Sequence, residues 1–242
     1  MNEIRQQLVK RFADRTATIG IEKEKKVAVA MRTGDVDGEL DGPWLANLHG
    51  DGSLIAVNRW TTVGGSVAAA TIRKVGSGLT AIHAGADSLR VASVDMGRIA
   101  VLDSVGVVTV YAANGAELSS FTPTGTPKEV VVRKDFVVVL VAGGKLEIHA
   151  TSTGALLDTI AITPGARSLD VHANIAVYAV GKTIRAVRLA TKKQAVIATT
   201  PKAIAGLELD DAGLAYAYNP VTGVEGVGKL AFVPLSLVQA KL

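Results

Sequence analysis

Asp35, Asp37, Glu39 and Asp41 crowd four carboxylates into seven residues of the stretch TGDVDGELDGP, and oxygen donors at that density suit a hard cation such as calcium. Asp37, Glu39, Asp41 and Gly42 fall at the spacing of positions 1, 3, 5 and 6 of an EF-hand loop. Leu48 stands where that loop needs a bidentate Glu, which rules out a true EF-hand. The stretch therefore reads as an acidic connection. Asp37, Glu39 and Asp41 could hold a weakly bound calcium ion only with a carboxylate borrowed from elsewhere.

The other reactive side chains make no set. His49, His83, His149 and His172 are spread along the chain with no HxH or HExxH spacing. The chain has no cysteine, so disulfides, thiolate metal sites and cysteine nucleophiles are excluded. No GxSxG is present, and Gly76-Ser77-Gly78 reads as a turn. Gly64-Gly65 lacks a following Lys-Ser/Thr, and no dinucleotide fingerprint opens a helix. No cofactor and no catalytic residue is expected from these motifs.

What recurs instead is a unit of four short strands. In TPKEVVVRKDFVVVLVAGGKLEIHATSTGALLDTIAI, residues 126–162, Glu129 to Val132 is a β-branched run and Arg133-Lys134-Asp135 a polar turn. Phe136 to Val141 is an apolar run too short for a good helix. Gly143-Gly144 forms a second turn, Leu146 to Ala150 alternates, and Gly154 sits where a turn needs positive φ before Leu156 to Ile162. The unit recurs from Ser88 and from Ser168. The turn after the first strand carries Asp51, Asp95, Asp135, Asn174 and Asp211, at intervals of 44, 40, 39 and 37 residues. These side chains bond back to nearby backbone, so they read as turn formers.

A period near 40 residues with four strands per period predicts an all-β propeller of four-stranded antiparallel blades. GKLEIHATSTGALLDTI and GVVTVYAANGAELSSF resemble the WD40-like and quinoprotein-like propeller repeats of bacteria, from about Gly42 to the C-terminus. NLHGDGSLIAVNRW followed by these blades resembles the C-terminal half of uncharacterised propeller proteins of actinobacteria. Two departures limit what the resemblance implies. Only Trp44 and Trp60 stand in for the recurrent tryptophans of quinoprotein blades, and Tyr111-Ala112 and His149-Ala150 replace the Trp-Asp pair of WD40 third strands.

At 242 residues the chain is expected to be one domain, 1–242, with blades starting near 42, 86, 126, 165 and 202. Residues 1–41 supply a lead-in and closing strands. Thr16 to Glu22 and Lys26 to Arg32 read as a hairpin, and Lys26 to Arg32 is expected to complete the last blade, whose own fourth strand, Val238 to Leu242, is poor. Five blades, six blades and a truncated, open ring all remain. Hydrophobic residues make up 48% but aromatics only 4%, so the core is built from Val, Ala, Ile and Leu. Residues 1–33 hold eight basic against four acidic side chains, and the rest of the chain balances. No stretch reads as a membrane span or signal peptide, so a cytoplasmic location is expected for the chain as given, and an extracytoplasmic one if it is a truncation.

The loops joining second to third strands and blade to blade share one face of a propeller, and such rims carry contacts. The longest is Asn58 to Ser66, where Arg59 beside Trp60 makes a pairing common at interface hot spots. With Lys145 and Lys182 at the equivalent turns, these residues mark a partner-binding rim. The function expected is a noncatalytic scaffold binding a protein, with no nucleic acid. The alternative is a propeller hydrolase or lyase whose acids and histidines converge on a central channel.

Overall fold

The structure, a computed structural model, describes residues 44–50, 54–61, 69–74, 80–86, 89–103, 105–218 and 229–242; side-chain surroundings are described for residue 93 and from residue 95 onward within these ranges. The expected N-terminal hairpin and the acidic stretch with Asp37, Glu39 and Asp41 lie outside the described residues.

Among the described residues there are five sheets, each a meander. The first holds β1 (Trp44–Gly50), β2 (Leu54–Thr61), β3 (Ala69–Lys74) and β4 (Thr80–Ala86). The second holds β5 (Leu89–Asp95), β6 (Arg98–Asp103), β7 (Val108–Ala112) and β8 (Glu117–Phe121). The third holds β9 (Pro127–Val132), β10 (Phe136–Val141), β11 (Lys145–Ala150) and β12 (Leu156–Ala161). β13 (Arg167–His172), β14 (Ile175–Val180), β15 (Thr183–Arg188) and β16 (Gln194–Thr199) make the fourth. β17 (Ile204–Leu209), β18 (Gly213–Tyr218) and β19 (Lys229–Pro234) make the fifth.

Burial explains the sequence patterns. Second strands such as β10, FVVVLV, and β14, IAVYAV, are covered on both faces, and continuous apolar runs are what such strands require. Fourth strands are half exposed, so β12 reads LLDTIA and β16 QAVIAT. Tyr178, fully buried in β14, donates its hydroxyl to Gln194 Oε1 at 3.1 Å, and Gln194 Nε2 donates to Ala161 O at 2.8 Å. The buried phenol is thereby satisfied.

Bulges recur at fixed places. The first strands β5, β13 and β17 each carry a register shift near their starts, and the fourth strands β4, β8 and β16 carry one against their neighbours. A bulge in an outermost strand spoils it as a template for a further strand.

Two expectations need correction. Val238 to Leu242 is no strand: Leu235–Lys241 forms helix α1, which begins after Pro234. Leu235, Val238 and Leu242 follow helical spacing, and Val238 and Leu242 are buried with Ile184, Ile197, Ile204 and Leu214. Lys241 Nζ then donates to Val196 O and Ile197 O of β16 at 3.2 and 3.0 Å. Asp95 and Asp211 of the recurrent turn series are also not simple turn formers, and Asp51 lies outside the described residues. Asp95 pairs with Arg133 at 2.9 Å and Asp211 with His172 Nε2 at 3.0 Å, while positive φ falls on Met96 and Ala173. It is Asp210 that bonds back, accepting from Ala212 N and Gly213 N.

By contacts the chain divides into two compact units. One takes the described residues up to Thr124 with Val132–Val137 and His149–Ala155; the other takes Gly125–Val131, Val138–Ile148 and those of Leu156–Leu242. In the first, β5 packs on β1, β2 and β3; in the second, β17 packs on β13 and β14.

Candidate functional site

In the second unit, one end of the sheets is built from connections that are bonded to one another. Ala142 N donates to Thr126 O and Ile162 N to Gly144 O, each at 2.8 Å. Thr200 N donates to Lys182 O at 2.8 Å and Ile204 N to Gly181 O at 3.0 Å. Each pair ties a turn between second and third strands to the chain entering or leaving a sheet, so these backbone segments are held in place. Gly144 is required there: its φ is +87°, and a Cβ would sit 2.6 Å from Ile162 O. Arg167 Nη2 adds a bond to Ile204 O at 3.0 Å.

Lys145 opens β11 at this end, and its ammonium lies 2.7 Å from Glu147 Oε1, a carboxylate with no exposed side-chain surface. Lys182 is exposed in the β14 to β15 turn, and its carbonyl also accepts from Thr200 Oγ1 at 3.0 Å. Arg59 and Trp60 differ from their expected setting. Asn58 to Ser66 reads as a loop, but β2 continues through Thr61, pairing Arg59 with Ala46 and Ala69 and Trp60 with Leu45. Arg59 and Trp60 belong to the first unit, Lys145 and Lys182 to the second.

Several polar side chains are engaged by backbone groups of the scaffold. Ser93 Oγ accepts Val132 N at 3.1 Å, Glu129 Oε1 and Oε2 accept Ser168 N and Leu169 N at 2.7 and 2.6 Å, and Asp170 Oδ2 accepts Leu209 N at 2.6 Å. The bulge in β13, with Ser168 at φ +54°, turns two successive N–H groups toward one carboxylate. Each of these bonds joins the first strand of one sheet to the first strand of the next. Burial pushes the Glu129 carboxyl above its ordinary value, against the opposing pull of the Leu169 and Ser168 N–H groups and of Arg167.

His149, at the place of the missing Trp-Asp pair, stacks on Phe121 with ring centres 4.0 Å apart, and its Nδ1 donates to Gly154 O at 2.9 Å. Gly154 has the positive φ expected of it, +71°, and a Cβ there would come within 3.0 Å of the Phe121 ring. His172 is held by Asp211. His49 lies in β1 and His83 in β4. Among the described residues no three His, Asp or Glu side chains converge as metal ligands. Sequence reading missed Glu129 and Asp170, because their partners are backbone N–H groups and leave no residue pattern.

No protein-family model matches the chain, and no curated protein sequence does. Solved structures do. The computationally designed Ika8 protein superposes with a TM-score of 0.55 at 12% identity, over 77% of this chain and 57% of that one. Hsv2 of Kluyveromyces lactis gives 0.52 at 14%, over 80% and 73%. The WD40 β-propeller domain of Doa1 gives 0.54 at 15%, over 70% and 58%. At such identities the likeness is one of fold: the chain has an all-β, WD40-like propeller fold, and spans little more than half the length of Ika8 and of the Doa1 domain. Among the described residues no helix is long and apolar enough to cross a membrane.

Proposed function

We propose that this protein is a noncatalytic propeller scaffold, one domain over residues 1–242, that binds a protein partner through the rim of connections joining second to third strands and sheet to sheet. The observation that supports this is the bonding of those connections to one another at Thr126, Gly144, Gly181 and Lys182. Loops already fixed by backbone bonds lose little entropy when a partner docks, which favours binding on a preorganised surface. Lys145 and Lys182 lie on that rim, and Arg59 and Trp60 sit toward the equivalent end of β2. A cytoplasmic location is part of this reading.

Partner capture from the source cells tests it, using the wild type, Trp60→Ala and Lys182→Ala. Trp60→Ala should leave folding stability within about 1 kcal/mol while weakening capture by about 2 kcal/mol or more, the mark of a hot spot. A loss of about 3–5 kcal/mol of stability would instead place the indole in the core, and capture unchanged in both variants would remove the reading.

A further inference from the structure

In the second unit the same pair of residue types recurs in sequence where the chain enters a third strand: Gly144-Lys145, Gly181-Lys182 and Gly228-Lys229. Lys229 opens β19 and pairs in register with Tyr218, which itself faces Ile204 at the start of β17, so it lies at the same end as Lys145 and Lys182. Each sheet carries a second base beside the entry to its first strand, at Lys128, Arg167 and Lys202. Two bases per sheet thus recur across three successive sheets, and all but Lys145 are exposed.

The acids at this end face inward. Among the described residues they are Glu129, whose oxygens take the Ser168 and Leu169 N–H groups, and Glu147, which is fully buried against Lys145. A surface whose bases point out and whose acids are consumed inside carries a positive field. The opposite end of this unit is mixed, with Asp211 on His172 and Asp158 on Lys192.

We infer that this rim takes an acidic peptide segment of a partner, reading its carboxylates with Lys128, Lys182 and Lys229. This rests on the scaffold reading above and names the chemistry of its partner. The exposed floor between the bases is made of small and rigid residues, Gly143, Pro164, Gly165 and Ala203, over which an extended backbone can pass. A single-stranded nucleic acid is favoured less, because its affinity draws on aromatic platforms for successive bases, and among the described residues Tyr218 alone offers one at this end. Lys145 is set aside as a contact because its ammonium already serves Glu147.

The test uses fluorescein-labelled decaglutamate, a labelled ten-nucleotide oligothymidylate and the full chain, followed by anisotropy. The rim variant is Lys128→Gln/Lys182→Gln/Lys229→Gln, and the control, with the same charge change at the opposite end, is Lys134→Gln/Lys192→Gln/Lys193→Gln. Decaglutamate should bind saturably, more weakly as salt rises, and the rim variant should lose about tenfold or more in affinity, as three ion pairs would. The control should change little. Equal losses in both variants, or tighter binding of the oligonucleotide, would overturn the inference. The same variants in partner capture separate the two proposals: capture that survives the rim variant but fails with Trp60→Ala sinks the acidic partner and keeps the scaffold, whereas capture indifferent to both sinks the scaffold.

Discussion

The carboxylate of Glu129 in β9 accepts the backbone N–H of Ser168 in β13 at 2.7 Å, 39 residues away. The interval is the repeat itself, made into a bond. Ser93 with Val132 and Asp170 with Leu209 span the same 39 residues, so β5, β9 and β13 are each fastened to the first strand that follows. These strands lie at the ends of their sheets, where backbone donors would otherwise lack a partner.

Removing the Glu129 carboxylate leaves two N–H groups without their acceptor, and hydrogen bonds to a charged group contribute about 1.5–3 kcal/mol each. Glu129→Ala should therefore lose about 3 kcal/mol of stability in urea denaturation. Glu129→Gln should lose less, since its carbonyl replaces one acceptor and its amide opposes the other. The pH dependence has a definite sign. Burial raises the folded-state value above the ordinary 4.5, so the contribution from protonation is fully present below that pH and is lost as pH rises through the raised value. Glu129→Gln should abolish this decrement, and a stability profile identical to wild type would contradict the assignment.

Gly143 and Gly144 separate backbone strain from collision. Both have positive φ, +86° and +87°, but a Cβ on Gly143 meets nothing within 4 Å whereas one on Gly144 runs into Ile162 O and Pro164. Gly143→Ala should cost about 1 kcal/mol, the left-handed penalty alone, and Gly144→Ala about 3 kcal/mol or more, because backbone must move. Equal denaturation midpoints would mean that the turn is not pinned to the end of β12.

Lys145 and Glu147 should behave as an unequal pair. Lys145 keeps about a third of its side chain exposed while Glu147 keeps none, so losing the lysine takes an ion-pair partner from a buried carboxylate. Lys145→Ala should cost about 2–4 kcal/mol, and adding Glu147→Leu should recover much of it. A double variant no more stable than the single one would show that the carboxylate is held by other groups.

Legibility followed the physics of each feature. Phe136–Val141 has the bounds read from sequence, since a short apolar run between polar turns leaves little freedom in where a strand ends. Five sheets begin near the expected positions for the same reason. Helix α1 was missed because Leu235, Val238 and Leu242 are too few to outweigh the preceding strand pattern. Arg59 and Trp60 were assigned to a loop because a glycine pair follows closely, yet pairing with β1 and β3 carries β2 past them. Asp95 and Asp211 have ion-pair partners that the turn pattern does not show, since Arg133 and His172 lie a repeat away and only the fold brings them together. At the rim, Lys145 and Lys182 were legible as turn residues, while Lys229 belongs to the same series and was not recognised beyond the irregular spacing of the last sheet.

The most direct measurement is site-specific photocrosslinking in the source cells, with a photoreactive phenylalanine analogue placed at Lys182 on the rim or at Lys193 at the opposite end. Both positions are exposed, so neither replacement disturbs the core. The expected result is a discrete crosslinked protein from position 182 and none from position 193. The same crosslinked protein from position 193 alone, or equally from both, would contradict a partner bound at the rim.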